Sequence, residues 1–180
     1  MIKIIKKEIK TNRLHLRHFS KEDLNTYAEI MGDQRIARWF PKGDSYTREE
    51  SERSLNDILS HWTKHGYGLW AITEKDDDLL LGRCGLNYIP KTLEVEIDFI
   101  IATNYWNNGY ATEAAKASLF YGFKILKLDK IIALSKPENI VSRKVIEKIG
   151  MYYTNNMQYW NILCAKYEIL KTEYNECFLV

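Results

Sequence analysis

Residues 105–112, Tyr-Trp-Asn-Asn-Gly-Tyr-Ala-Thr, and the short run just before them hold the two patterns of greatest chemical consequence in this chain. The first is a backbone pattern. The stretch follows an apolar run at 95–102 and opens a helix-like run at 110–123. A loop that ends a strand and starts a helix presents N–H groups with no intrahelical acceptor, and the helix dipole adds positive potential there. Phosphate or pyrophosphate suits such a place. Gly109 lets the backbone turn and come close to a ligand, and Ala111 offers little side chain to obstruct it. The second is a side-chain pattern. In Glu94-Val95-Glu96-Ile97-Asp98-Phe99, a period of two sends the three carboxylates to one face and the apolar residues to the other. Pattern alone reads this as a strand with a solvated outer face. Carboxylates so placed can also take up a proton or attract a cation.

The elements around these patterns follow from periodicity. Leu14-His15-Leu16-Arg17-His18-Phe19 alternates as a strand with one buried face. Ser20 before Lys21-Glu22-Asp23, and Thr47 before Arg48-Glu49-Glu50, are helix starts. Leu24, Tyr27, Ala28 and Met31 recur at helical spacing, as do Leu55, Ile58, Leu59 and Trp62, and Gly66 and Gly68 end the second helix. Strands at 69–73, 79–89 and 94–102, separated by short turn-prone segments, form an antiparallel meander. After the helix at 110–123 come a strand at 130–134 and a helix at 140–148 stopped by Gly150. Strands near 151–157 and 162–170 then close the chain. The expected fold is a mixed α/β (α+β) domain, one mostly antiparallel central sheet flanked by helices.

Bulk properties narrow the function. The chain has 180 residues, enough for one domain over 1–180 with a real core. Its formal charge is +2 with both signs interspersed, which leaves no basic face for nucleic acid. Cys84, Cys164 and Cys177 are odd in number and far apart, unlike a disulfide framework or a zinc site, and point to a cytoplasmic location. The basic segment 1–10 lacks the continuous apolar stretch of a signal peptide, and no run approaches the ~20 apolar residues of a membrane span. His61 and His65 lie four apart on a helix, but no third ligand accompanies them, so a helix end is expected and no metal. Cys84 has no recognisable base and reads as a small buried residue.

A second element follows the loop about one βα unit later: Asn139-Ile140-Val141-Ser142, running into Val145-Ile146-Glu147-Lys148-Ile149-Gly150-Met151. The two elements in this order resemble the GNAT superfamily of acyl-CoA-dependent N-acetyltransferases. Within it, the chain is most similar to the Rim-type ribosomal-protein N-terminal acetyltransferases and their small-molecule relatives. The family's Arg/Gln-x-x-Gly-x-Gly/Ala loop maps onto Trp106-Asn107-Asn108-Gly109-Tyr110-Ala111. Trp at the first position is usual in the Rim-type branch, whereas Asn107 stands where that branch commonly has a further Gly. The continuation Tyr110-Ala111-Thr112-Glu113-Ala114 matches closely, and the resemblance runs from Thr11-Asn12-Arg13-Leu14 to residues 167–170.

The resemblance implies acetyl-CoA as acyl donor and an amine as acceptor, in a monomer or homodimer. It implies a pyrophosphate on the amides of Trp106, Asn107, Asn108, Gly109, Tyr110, Ala111 and Thr112. The pantetheine arm would lie beside Ile100, Ile101 and Ala102, in a splay between the fourth and fifth strands, with Asn139 and Ser142 near it. Trp39 and Phe40, between two helices, fall where the family has an acceptor wall, although core packing is the default for aromatic residues. The carboxylate strand becomes central, where a covered carboxylate is costly unless it lines a cavity or is paired.

The chemistry needs such a group, because an amine attacks a thioester only as the neutral base. Deprotonation at pH 7 costs about 1 kcal/mol for an α-amine and about 4.6 kcal/mol for a lysine-type amine. A Glu stands at the position of Glu96 in the Rim-type pattern, so Glu96 is the first candidate base. Asp98 occupies a usual Gly position and resembles an Ile-Asp pair of some aminoglycoside acetyltransferases, which makes it the second. The Tyr that many relatives use as acid is Ile146 here, leaving Ser142, Tyr167 or water to protonate the thiolate. Two other classes compete with an enzyme acting on α-amino groups, aminoglycosides or polyamines. One is an acyl-CoA-binding module without turnover. The other is a different nucleotide-binding domain, which lacks its usual glycine motifs here.

Overall fold

The computed structural model describes residues 2–5, 7–159 and 161–174. Among these, nine strands form one sheet. They are β1 (Lys3–Ile5), β2 (Glu8–Lys10), β3 (Leu14–Arg17), β4 (Leu69–Glu74), β5 (Leu80–Ile89), β6 (Glu94–Ile101), β7 (Lys130–Ser135), β8 (Tyr152–Tyr159) and β9 (Ile162–Leu170). The spatial order is β1-β2-β3-β4-β5-β6-β7-β9-β8. Every pairing is antiparallel except β6 with β7. The β4–β5–β6 meander, the crossover to β7 and the final hairpin are as the sequence pattern predicts. The hairpin of β1 and β2 was not expected, because lysines break the alternation there. It extends the sheet beyond β3, and Ile9 is fully buried.

Helices α1 (Leu24–Gly32), α2 (Gln34–Ala37), α3 (Arg48–His65), α4 (Tyr110–Phe120) and α5 (Ile140–Lys148) cover the sheet. Local sequence sets their ends. Thr47 and Glu50 form a capping box at the start of α3, worth ~1 kcal/mol for such a cap, and Gly66 terminates it with φ 74°. Ser51, Leu55, Ile58 and Trp62 are its buried stripe. The four-residue α2 was missed in the sequence, being too short to show a period, and Asp33 caps it by accepting from the Arg35 N–H.

Helix α4 turns a face of Ala114, Ala115, Ala117 and Ser118 to the sheet, so small that the Ser118 hydroxyl comes within 3.4 Å of Cys84 Sγ on β5. It then widens into a π-turn at Tyr121–Ile125, where the Leu126 N–H reaches the Tyr121 carbonyl at 3.0 Å. Much of the aromatic weight is core. Trp70 is fully buried and donates to the Lys7 carbonyl, while Trp62 donates to that of Leu69. Cys84 and Cys164 are free and buried, and burial pushes the Cys84 thiol up to about 12, as suits a packing residue. Cys177 lies outside the described residues. No helix among the described residues is long and apolar enough to cross a membrane.

Candidate active site

The strand–loop–helix junction is built as its residue types suggest. After β6 a short 3₁₀ turn, Thr103–Tyr105, leads to Asn107 and Gly109, which both adopt left-handed φ of 63° and 78°. Glycine takes this geometry freely, and asparagine tolerates it better than most side chains. The first backbone bond of α4 runs from the Glu113 N–H to the Gly109 carbonyl at 3.0 Å, and no side chain caps the helix. The N–H groups of Tyr110, Ala111 and Thr112 therefore have no acceptor among the described residues, at the positive end of an 11-residue helix. The Asn108 side chain folds back to the carbonyls of Tyr105 and Trp106. The indole of Trp106 donates to the Ile101 carbonyl at 2.7 Å while much of its ring stays exposed.

Beside this junction the sheet opens. β6 and β7 share a single register pair, Glu96 with Ile132. Beyond it β6 follows β5 as far as Ile101 opposite Gly82, and β7 follows β9 as far as Ser135 opposite Ala165. The Ala102 N–H bonds to Leu81 at 2.8 Å, so alternation turns the polar backbone groups of Ile100 and Ala102 towards β5 and those of Ile101 towards the splay. At the far end of β7, Asn139 caps α5 by accepting from the Ser142 N–H at 3.2 Å. The α2 segment is tied to both sides of the opening. Thr103 Oγ1 donates to Asp33 at 2.8 Å, and Lys136 Nζ donates to the Arg38 carbonyl at 3.0 Å.

The three β6 carboxylates share a face but not an environment. Glu94 accepts from Lys166 at 2.6 Å, Lys130 at 3.1 Å and Tyr159 at 3.1 Å. Burial alone would raise its pKa, but these donors hold it down at about 2. Asp98 is ion-paired to Arg83 of β5 at 2.8 Å. Arg83 also donates to the Tyr27 hydroxyl at 2.8 Å, and burial that opposes its charge is outweighed by Asp98 and the neighbouring Tyr27 and Tyr46. Glu96 is 8% exposed and has no hydrogen-bond partner among the described residues. Its pKa is pushed well up, first by burial and then by the Asp98 charge, with Arg83 opposing in part. On the same face Ile89, Ile132, Tyr159 and Cys164 form a small apolar cluster. Burial, and after it Glu96, push the Cys164 thiol up to about 11.

Other candidates are sorted by their surroundings. Phe40 is core, 7% exposed against Tyr46 at 4.9 Å between ring centroids, so it is no open wall. Trp39 is half-buried with the Arg38 guanidinium over its ring at 4.4 Å. Tyr167 is not brought to the carboxylates. It pairs with Ala133, one residue on from the Ile132 that meets Glu96, so its side chain takes the opposite face. There it is fully buried, its hydroxyl accepting from Arg143 at 2.7 Å and donating to Glu147 at 3.2 Å. Ser142, at the start of α5, keeps its hydroxyl without a partner among the described residues. Arg83, Tyr27 and Tyr46 were missed, because they come from a strand, a helix and a loop whose meeting no local pattern announces. His61 and His65 belong to no cluster of three metal-ligating groups among the described residues. His61 instead bridges the Tyr67 carbonyl and the Tyr88 N–H.

Known proteins resemble this chain in sequence and fold. The family model for an acetyltransferase (GNAT) domain matches residues 13–152. The chain is 34% identical to the uncharacterized N-acetyltransferase YnaD of Bacillus subtilis, over 79% of this chain and 81% of that protein. It is 25% identical to the spermidine N(1)-acetyltransferase of Escherichia coli, over 75% and 70% of the two chains. A GNAT-family acetyltransferase from Bacillus anthracis superposes with a TM-score of 0.80 at 30% identity, over 92% of this chain and 99% of that one. With uncapped N–H groups opening α4, a parallel strand pair that parts beside them and a match across most of its length, this chain belongs to the GNAT acetyltransferases, which use acetyl-CoA to acetylate amines.

Proposed function

We propose that the acceptor is the α-amino group of a peptide or protein, with Glu96 as general base. The observation that carries this reading is the division among the three β6 carboxylates. Glu94 and Asp98 are held by cations, while Glu96 is buried and unpartnered with a raised pKa. A carboxylate whose pKa is lifted above its ordinary range is a better proton acceptor than an ordinary one. In this reading acetyl-CoA lies with its pyrophosphate on the amides of residues 106–112 and its pantetheine in the splay towards Asn139. The amine nitrogen attacks the thioester carbonyl carbon, its proton passes to Glu96 directly or through water, and the C–S bond breaks. The thiolate, of pKa near 8.5, leaves with little help and takes a proton from water or from Ser142.

The energetics favour the α-amine. It needs about 3.6 kcal/mol less deprotonation than an alkyl amine at pH 7, and a single base suits the easier substrate. A polyamine is the second reading, favoured by the likeness to a spermidine N(1)-acetyltransferase. Against it stands the Arg83–Asp98 pair, which neutralises the carboxylate a polycation would seek. A thiol-release assay with acetyl-CoA and a panel of α-amino peptides, spermidine and aminoglycosides separates them. The α-amino reading expects the highest kcat/KM on a peptide, and a polyamine preferred tenfold or more overturns it.

A further inference from the structure

The amide loop is fastened from behind by residues about 100 positions earlier in the chain. Glu113, in the first turn of α4, accepts from Thr11 Oγ1 at 2.6 Å, from the Arg13 N–H at 3.0 Å and from Arg13 Nε at 2.7 Å. The same guanidinium donates through Nη1 to the Asn108 carbonyl at 2.9 Å and lies over the Tyr110 ring, 4.7 Å from its centroid. Tyr110 in turn donates to Glu74 of β4 at 2.6 Å. One guanidinium thus touches both flanks of Gly109.

Two physical consequences follow. A trans peptide points its C=O and N–H in opposite directions, so holding the Asn108 carbonyl at Arg13 aims the Gly109 N–H to the opposite side. Glu113 puts a negative charge in the first helical turn, where it would repel a bound pyrophosphate. Burial would favour its neutral form, but the bonds from Thr11 and Arg13 keep it charged, so the site depends on Arg13 to cancel that charge.

We propose that Arg13 is a positioning residue for acetyl-CoA, fixing the Asn108–Gly109 peptide and screening Glu113 from the pyrophosphate. This rests on the reading that the pyrophosphate occupies the loop. The test compares acetyl-CoA with acetyl-pantetheine, which carries the same thioester and no pyrophosphate. Arg13→Met lowers kcat/KM for acetyl-CoA about ten- to hundredfold, through KM, as expected for loss of a charge-assisted hydrogen bond. Acetyl-pantetheine is spared. Arg13→Lys, which keeps the charge but not the fork, gives an intermediate loss, and Arg13→Met/Glu113→Gln recovers part of it. Equal loss with both donors in Arg13→Met and Arg13→Lys, or no loss with either, overturns the proposal. Gly109→Val tests the underlying reading separately. If it leaves the preference for acetyl-CoA intact, the pyrophosphate is elsewhere. If it abolishes that preference and Arg13→Met does not, the loop reading stands and the role of Arg13 falls.

Discussion

Glu96→Gln separates the needs of catalysis from those of folding, because the two should move in opposite directions. Gln has nearly the size and shape of a protonated Glu, so the packing around Glu96 on β6 is kept. Without the base, turnover on the best acceptor falls roughly 10²–10⁴-fold, while acetyl-CoA affinity is nearly unchanged. Stability should respond the other way. The raised pKa of the buried, unpartnered Glu96 means that the folded chain holds its proton more tightly than the unfolded chain. Its contribution is favourable below the ordinary value of 4.5 and is lost as pH rises through the folded value. Each pKa unit corresponds to about 1.4 kcal/mol. Glu96→Gln removes that slope, so relative to wild type it gains stability as pH rises from 5 to 8. For a chain of this length each kcal/mol gained lifts Tm by ~2–4 °C. The assays are thiol release across pH and thermal melts at pH 5 and pH 8. Wild-type kcat/KM should fall as pH drops through the raised Glu96 value. Full activity of Glu96→Gln at neutral pH, or a stability difference that moves against the variant as pH rises, would refute the reasoning.

Glu94→Gln should behave in the opposite sense. With its pKa held at about 2 against an ordinary 4.5, Glu94 contributes roughly 3 kcal/mol above pH 4.5, lost as pH falls towards 2. Urea titrations at pH 7 and pH 3 should show the deficit of Glu94→Gln shrinking at the lower pH. Asp98→Asn leaves the Arg83 guanidinium, whose buried Nε already lacks a partner among the described residues, without its ion pair, and should cost about 1–3 kcal/mol by chemical denaturation. Arg83→Met/Asp98→Leu should recover part of that loss. His61 Nε2 accepts from the Tyr88 N–H at 3.0 Å, so it must stay unprotonated while Nδ1 donates to Tyr67. Burial lowers its pKa, so stability should decline as pH falls below the ordinary 6.5, and His61→Gln should flatten that slope in melts between pH 5 and pH 7.5.

The backbone geometry of the proposed cofactor side was legible in the sequence and the surroundings of the β6 carboxylates only partly so, for a physical reason. The loop at Gly109 and the cap at Asn139 work through backbone groups fixed by local conformation, and glycine or asparagine at such positions announces itself. The β6 alternation put Glu94, Glu96 and Asp98 on one face, but not their different fates. Those depend on Lys166 from β9, Arg83 from β5 and Tyr27 from α1, which are distant in sequence. Tyr167 is the converse failure. Its place on the last strand resembled an acid's, yet one step of register turns it to the α5 face between Arg143 and Glu147. The N-terminal hairpin was hidden because its pairing with β3, rather than any alternation of its own, orders it.

The contrast between Glu94 and Glu96 is also the physical ground for proposing the carboxylate without a partner as the base. Two positions apart on one strand, they face the same side, and either could carry a negative charge. Lysines from β7 and β9 reach Glu94 and stabilise its charge so well that it gives up basicity. At Glu96 the strand is paired on both sides, to Asn87 of β5 and Ile132 of β7, and the apolar cluster around Ile132 and Cys164 lies on the same face. No cation among the described residues is hydrogen-bonded to it. The charges that act on it are the Asp98 carboxylate and the Arg83 that Asp98 already binds, and burial, the larger effect, sets its proton affinity. A paired carboxylate stabilises the fold, and an unpaired one beside the splay holds a raised proton affinity, which is what the proposed transfer from an amine would use.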